Sequence, residues 1–117
     1  MTYNINWHFP ELVINLTYEG QVSLTEMQQS LDELAVMLKP YGGTVHTVVD
    51  VTNANLPSNI AEYRKLRYDF DQSHNWTILV GQNAVQRFVA TVVTNTLRAR
   101  FGYTVTVDEA IDFLSKR

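Results

Sequence analysis

The chain has no cysteine in 117 residues, which excludes disulfides, thiol nucleophiles and thiolate metal sites at once. Proline and glycine are sparse, at three and five residues, so few positions force the backbone to turn. Basic charge is not in excess. Nine Lys and Arg stand against twelve Asp and Glu, a net charge of −3, and no overall positive field draws the chain to nucleic acid or an anionic membrane. No apolar run approaches the roughly 20 residues that span a bilayer. The opening "MTYNINWHFP" lacks a basic region followed by an apolar run and does not read as a signal peptide. What is present, 45% hydrophobic and 18% charged residues, is the balance of a soluble globular domain. We expect one domain over 1–117 in a cytoplasmic setting, long enough for one core.

Two strands open the chain. In "YNINWHF" Tyr3, Ile5, Trp7 and Phe9 alternate with Asn4, Asn6 and His8. In "LVINLTY" Leu12, Ile14, Leu16 and Tyr18 alternate with Val13, Asn15 and Thr17. Period-2 patterns bury one face, and the short link at Pro10 and Glu11 implies an antiparallel hairpin. A helix follows, started by a Ser23–Glu26 capping box and carrying Leu24, Met27, Leu31, Leu34, Ala35 and Leu38 on one stripe. Pro40 and the glycine pair after it end that helix. Next come a strand "VHTVVDV" (45–51), a loop to Pro57 and a helix from about Ser58 to Phe70. The strand "NWTILVG" (75–81) leads into a third helix over 83–100, with Val85, Phe88, Val89, Val92, Val93 and Leu97 inward. A strand "YTVTV" (103–107) and a closing helix "DEAIDFLSKR", capped by Thr106 and Glu109, complete the chain.

The order ββαβαβαβα predicts an α/β fold with a mixed, mostly parallel five-stranded sheet and right-handed crossovers. Strands covered by helices on both faces are usually apolar throughout. Most strands here alternate, so the helices should lie mainly on one face. The other face would gather Asn4, Asn6, His8, Asn15, Thr17, His46, Thr104 and Thr106 around Val13, Val48 and Leu79.

Four landmarks, "YEGQVSLTEM", "VVDVTNA", "WTILVG" and "YTVTVDEAIDFL", run over nearly the whole chain and resemble SpoIIAA-like domains. That superfamily includes STAS and anti-sigma-factor antagonist domains. More closely, the chain looks like the uncharacterised bacterial branch also grouped as STAS/SEC14-like. The resemblance implies a SpoIIAA-like fold and a domain that acts by binding other proteins; some STAS domains bind nucleotides or small ligands. In anti-sigma-factor antagonists a D-S-S-G motif begins the helix after the third strand, and one of its serines is phosphorylated. Here that place reads "LPSNIAE". Asn59 stands about where the phosphorylated serine would lie, and Ser58 offers the only hydroxyl. Ser58 therefore reads first as a helix cap and second as a phosphorylation site.

Asp50 at the end of the third strand could accept a phosphoryl group only with further carboxylates to hold Mg²⁺, and the first hairpin supplies Asn and His instead. An Asx-type turn with the amides of "VTNAN" suits it better. His8, His46 and His74 show no ligand spacing, and no metal or cofactor is expected. No nucleophile elbow, Walker loop or dinucleotide fingerprint follows a strand. Hence no catalytic residue is expected. Two binding readings remain. The first is a regulatory or interaction domain that binds a protein partner, or a second copy of itself as a homodimer, through Tyr63, Arg64, Arg67 and Tyr68 of "EYRKLRYDF" or through Val48. Exposed Tyr and Arg are enriched in interface hot spots. The second is a small-ligand or anion-binding module using loop 52–58 and the start of the third predicted helix, with Asp50, Thr52, Asn53, Gly81 and Asn83 as contacts.

Overall fold

The alternation of the first two segments produces a hairpin. In the computed structural model, β1 (Tyr3–Phe9) and β2 (Val13–Gln21) pair antiparallel, with Tyr3 opposite Tyr18, Ile5 opposite Leu16 and Trp7 opposite Ile14. The structure describes residues 2–41, 45–57, 59–63, 65–66, 76–84, 86–87 and 100–116. At the hairpin turn Glu11 takes a φ of 68°, and Leu12 N donates to Phe9 O at 3.0 Å. The register slips by one residue between Trp7 and Phe9. Such a bulge re-aims the side chain beyond it, and Phe9 is left 47% exposed.

Beyond the hairpin, β2, β3 (His46–Asn55), β4 (Trp76–Val80) and β5 (Arg100–Thr104) run parallel in the order β1-β2-β3-β4-β5. Helix α1 (Leu24–Leu38) starts as the Ser23–Glu26 pair dictates. Ser23 Oγ accepts from Glu26 N, and Glu26 Oε1 accepts from Ser23 N, both at 3.1 Å. A single 3-10 turn over Lys39–Tyr41 ends it. Met27, Leu34 and Leu38 pack on Ile14, Leu16, Tyr18, Val49, Val51 and Leu79, the larger core. Inside that core the Tyr18 hydroxyl bonds Ser30 Oγ, and burial pushes the phenol up to about 12. The short α2 (Ile60–Tyr63) adds Tyr63 to the same side.

The second face is not open. Helix α3 (Val107–Ser115) lays Ala110 and Leu114 on Val13, Val48, Ile78 and Val80. Val48, expected at the surface, is fully buried beneath it. Leu79 also changes sides. Val48 pairs with Ile78 and Val49 with Leu79, so Ile78 and Val80 share the face of Val48. The fourth strand is apolar on both sides, so its own pattern gave no face. The expected polar residues persist on this side next to the hairpin, where Asn4, Asn6 and His8 are exposed and Asn15 and Thr17 half-buried.

Boundaries differ from expectation in several places. The second predicted helix, expected from about Ser58 to Phe70, is helical at Ile60–Tyr63 and no longer so at Lys65 and Leu66, and the strand ends shift through pairing and capping. β3 runs four residues past Val51 because β2 continues beside it, Glu19 opposite Asn53 and Gln21 opposite Asn55. Thr52 and Asn53 are therefore strand residues. β5 starts at Arg100, three residues early, because Arg100 pairs with Trp76 and Thr104 with Val80. Thr106 leaves the sheet and caps α3, its hydroxyl accepting from Glu109 N at 3.1 Å. The reciprocal bond of that cap goes to Val105 N, at 3.3 Å from Glu109 Oε2.

Candidate functional site

Where β4 stops, the chain turns sharply into a helical segment. Asn83 is its cap, and Ala84, Gln86 and Arg87 are helical, so the third predicted helix begins as expected. Asn83 Oδ1 accepts from Gln86 N at 2.8 Å, while Gln86 Oε1 accepts from Asn83 N at 3.3 Å and from Gln82 N at 2.7 Å. This is an N-x-x-Q capping box with one extra amide drawn in.

Gln86 does more than cap. It is only 1% exposed, and its Nε2 donates to Val51 O at 2.6 Å, with Thr52 O at 3.3 Å and Ala54 O at 3.5 Å. β4 accompanies β3 only as far as the Asp50–Val80 pair. Past it, among the described residues, no strand continues beside β3 on that side. Buried carbonyls need donors, and the Gln86 amide provides one. Gly81 makes room for this. A Cβ there would lie 2.8 Å from Gln86 Oε1 and 2.9 Å from Gln86 Cβ. Gly81 N also donates to Thr104 O at 3.2 Å, which fastens the turn to β5.

Asp50 sits as the Asx reading requires, its Oδ1 accepting from Thr52 N at 3.0 Å. The bond falls where β3 takes one more residue than β2, between the Thr17–Asp50 and Glu19–Asn53 pairs. Thr52 is half-buried and Asn53 exposed.

Gly81, Gln82, Asn83, Ala84, Arg87, Tyr103 and Val105 line a cleft of about 440 Å³ at the C-terminal ends of β4 and β5. The Arg87 guanidinium stands over the Tyr103 ring, 5.5 Å from its centroid, a cation–π geometry. Val105 is 43% exposed beside them. Of the expected ligand contacts, Gly81 and Asn83 reach this cleft, while Asp50, Thr52 and Asn53 belong to the strand behind it. The amides that would hold an anion at the helix start are already taken at Gln82, Asn83 and Gln86 by side chains of the cap itself.

The partner-binding residues fare differently. Tyr63 is buried, its hydroxyl donates to Pro57 O at 2.6 Å, and burial pushes the phenol up to about 12. Both Tyr63 and Val48 are therefore corrected to core residues. Ser58, Arg64, Arg67 and Tyr68, like His74, lie outside the described residues. His46 Nδ1 accepts from Trp76 N at 2.9 Å, and burial lowers its pKa. His8 meets Phe9 edge-on. Among the described residues no three His, Asp or Glu side chains gather as a metal site, and no helix is long and apolar enough to cross a membrane. Sequence reasoning missed Gln86, Arg87, Tyr103 and Val105 as members of one site. The N-x-x-Q spacing after the fourth strand was the available signal for Gln86.

No protein-family model matches the chain, and no curated protein does. Among solved structures it is similar to an uncharacterized protein of the DUF3478 family with a SpoIIAA-like fold from Shewanella loihica PV-4. The TM-score is 0.64 at 16% identity, over 96% of this chain and 91% of that one. The fold is thus SpoIIAA-like, as the landmarks implied.

Proposed function

We propose that this is a non-catalytic regulatory domain that binds a protein partner through the open cleft at the C-terminal edge of β4 and β5. The stacked Arg87–Tyr103 pair beside exposed Val105 carries this reading. Arg and Tyr are enriched in interface hot spots, where a planar cation and an aromatic ring supply area at low entropic cost. The cleft is poorly suited to a free small molecule. Ligand pockets bury about 70–90% of their occupant, whereas Gln82, Asn83, Ala84 and Arg87 are all exposed.

A second reading keeps a small anionic ligand at the same place. Open α/β sheets bind ligands outside the carboxyl ends of their strands, and Arg87 would supply the charge. The two separate experimentally. A photo-crosslinker at Val105 is compared in cells with one at Val36, which is 74% exposed on α1. A protein adduct from position 105, absent from 36 and lost with Arg87→Glu or Tyr103→Ala, supports the partner. An adduct the size of two chains makes the partner a second copy. No adduct, together with calorimetric binding of phosphate that Arg87→Ala abolishes, would replace the first reading with the second.

A further inference from the structure

At the opposite edge of the parallel strands His46 joins three of them. Its backbone N donates to Leu12 O at 2.9 Å, just before β2, and its ring Nδ1 accepts the backbone N–H of Trp76, the first residue of β4, also at 2.9 Å. The Trp76 ring meets Phe113 of α3 edge-on, with centroids 4.9 Å apart. One residue on, Leu114 packs with Val13 and Val48 on the sheet. A continuous set of contacts therefore leads from the imidazole to the last turn of the helix that covers the second face.

We propose that His46 is an acid-sensitive catch: the neutral ring holds Trp76, and through it the end of α3, against the sheet, and protonation releases them. An imidazolium has two N–H donors and no acceptor. Protonated Nδ1 would set a donor against the Trp76 N–H, and the bond is lost. Burial penalises the charged ring, so release falls on the acid side of the ordinary value of 6.5. Among the described residues, the charged groups on the surrounding elements are Glu11 in the hairpin turn, Glu19 of β2, Asp50 of β3, Arg100 opposite Trp76 on β5, Asp108, Glu109 and Asp112 of α3, and Lys116 just after it. Asp50 accepts from Thr52 N, Glu109 accepts from Val105 N, and Asp112 pairs with Lys116 at 3.1 Å. Among the described residues none of these bonds the His46 ring. What acid loosens is the cover over Val13 and Val48, an apolar strip that then becomes surface.

Trp7→Phe leaves Trp76 as the single tryptophan of the chain. From about pH 8 to about pH 5, the range in which histidine ordinarily titrates, Trp76 emission should shift with a midpoint below 6.5. His46→Asn in the same background keeps an acceptor and removes the titration, so it should show no step. A step of equal size and midpoint in the His46→Asn protein, or none in its parent, would overturn the proposal. If His46→Asn does not fold, the ¹⁵N shifts of the His46 ring in the unmodified chain decide. An unprotonated Nδ1 at neutral pH, gaining its proton together with the Trp76 shift, supports the catch, and a protonated Nδ1 at neutral pH refutes it.

Discussion

Replacing Gln86 with leucine keeps most of the side-chain volume and deletes every hydrogen bond of its side-chain amide. Val51 O and Gln82 N, now bonded at 2.6 and 2.7 Å, would lose their partner inside the protein. Gln82 is exposed and its N–H can turn to water, but Val51 O is buried, and a buried orphan costs about 1–3 kcal/mol, so the loss should be about 1–3 kcal/mol. That is a large share of the roughly 5–15 kcal/mol that holds a domain of this kind together. At about 4 °C per kcal/mol for this chain length, the melting midpoint should fall by about 4–12 °C. Gln86→Glu tests the direction of the bonds. Its carboxylate can still accept from Gln82 N, but offers no donor to Val51 O. Burial should raise its pKa above that of the unfolded chain. A group whose folded pKa is raised loses its stabilising contribution as pH rises through that window and regains it as pH falls. Gln86→Glu should therefore recover stability relative to Gln86→Leu on acidification, as the protonated carboxyl donates to Val51 O. Urea unfolding followed by circular dichroism at several pH values measures both effects. A Gln86→Leu protein as stable as the original, within about 0.5 kcal/mol, would refute the view that this side chain replaces a missing strand partner.

Val48→Lys should abolish the cooperative melt, because an unpaired charge would sit beneath α3 where burial is complete; a normal melt with altered self-association would return Val48 to the surface. Ser23→Ala should cost about 1 kcal/mol in thermal stability, the usual worth of such a cap. Asp50→Asn should leave stability unchanged, since the amide oxygen can still accept from Thr52 N; a large loss would mean the charge itself matters. Stability should also depend on His46. Its folded pKa is lowered, so its contribution is complete above the ordinary 6.5 and declines as pH falls from there toward the folded value. Comparing urea midpoints of the original chain and His46→Asn across that window reads the slope.

Much of the fold was legible because alternation and capping act locally. The hairpin, the Ser23 cap, the Asx bond of Asp50 and the order of elements each depend on residues a few positions apart. What failed was everything decided by a neighbouring strand. β3 lengthens because β2 runs beside it to Gln21, and β5 begins early because Trp76 pairs with Arg100. The covered second face was hidden for a related reason. Alternation reports how wet a face is on average, and this face is wetter over β1 and the β2 residues beyond Val13 but dry at Val13, Val48, Ile78 and Val80, where α3 lies. A helix of nine residues needs only a few apolar contacts beneath it, and Val13, Val48, Ile78 and Val80 supply them.

The site resisted reading for a different physical reason. Gln86 is a polar residue in an apolar stripe, and its strongest partner is a backbone carbonyl 35 positions earlier in the chain. Backbone carbonyls carry no side-chain identity, so nothing in "VVDVTNA" marks Val51 O as needing a donor. Only the ends of β3 and β4, taken together, create that need. The same logic explains why Gly81 and Asn83 also have a structural role that their residue types alone do not reveal. A glycine and an amide at a strand-to-helix turn suit an anion site, yet here the glycine admits Gln86 and the amide completes its cap. Once the turn satisfies its own amides, it has less to offer an anion. In the proposed reading, recognition falls to the side chains around the turn, Arg87, Tyr103 and Val105, whose spacing in the sequence gives no hint that they meet.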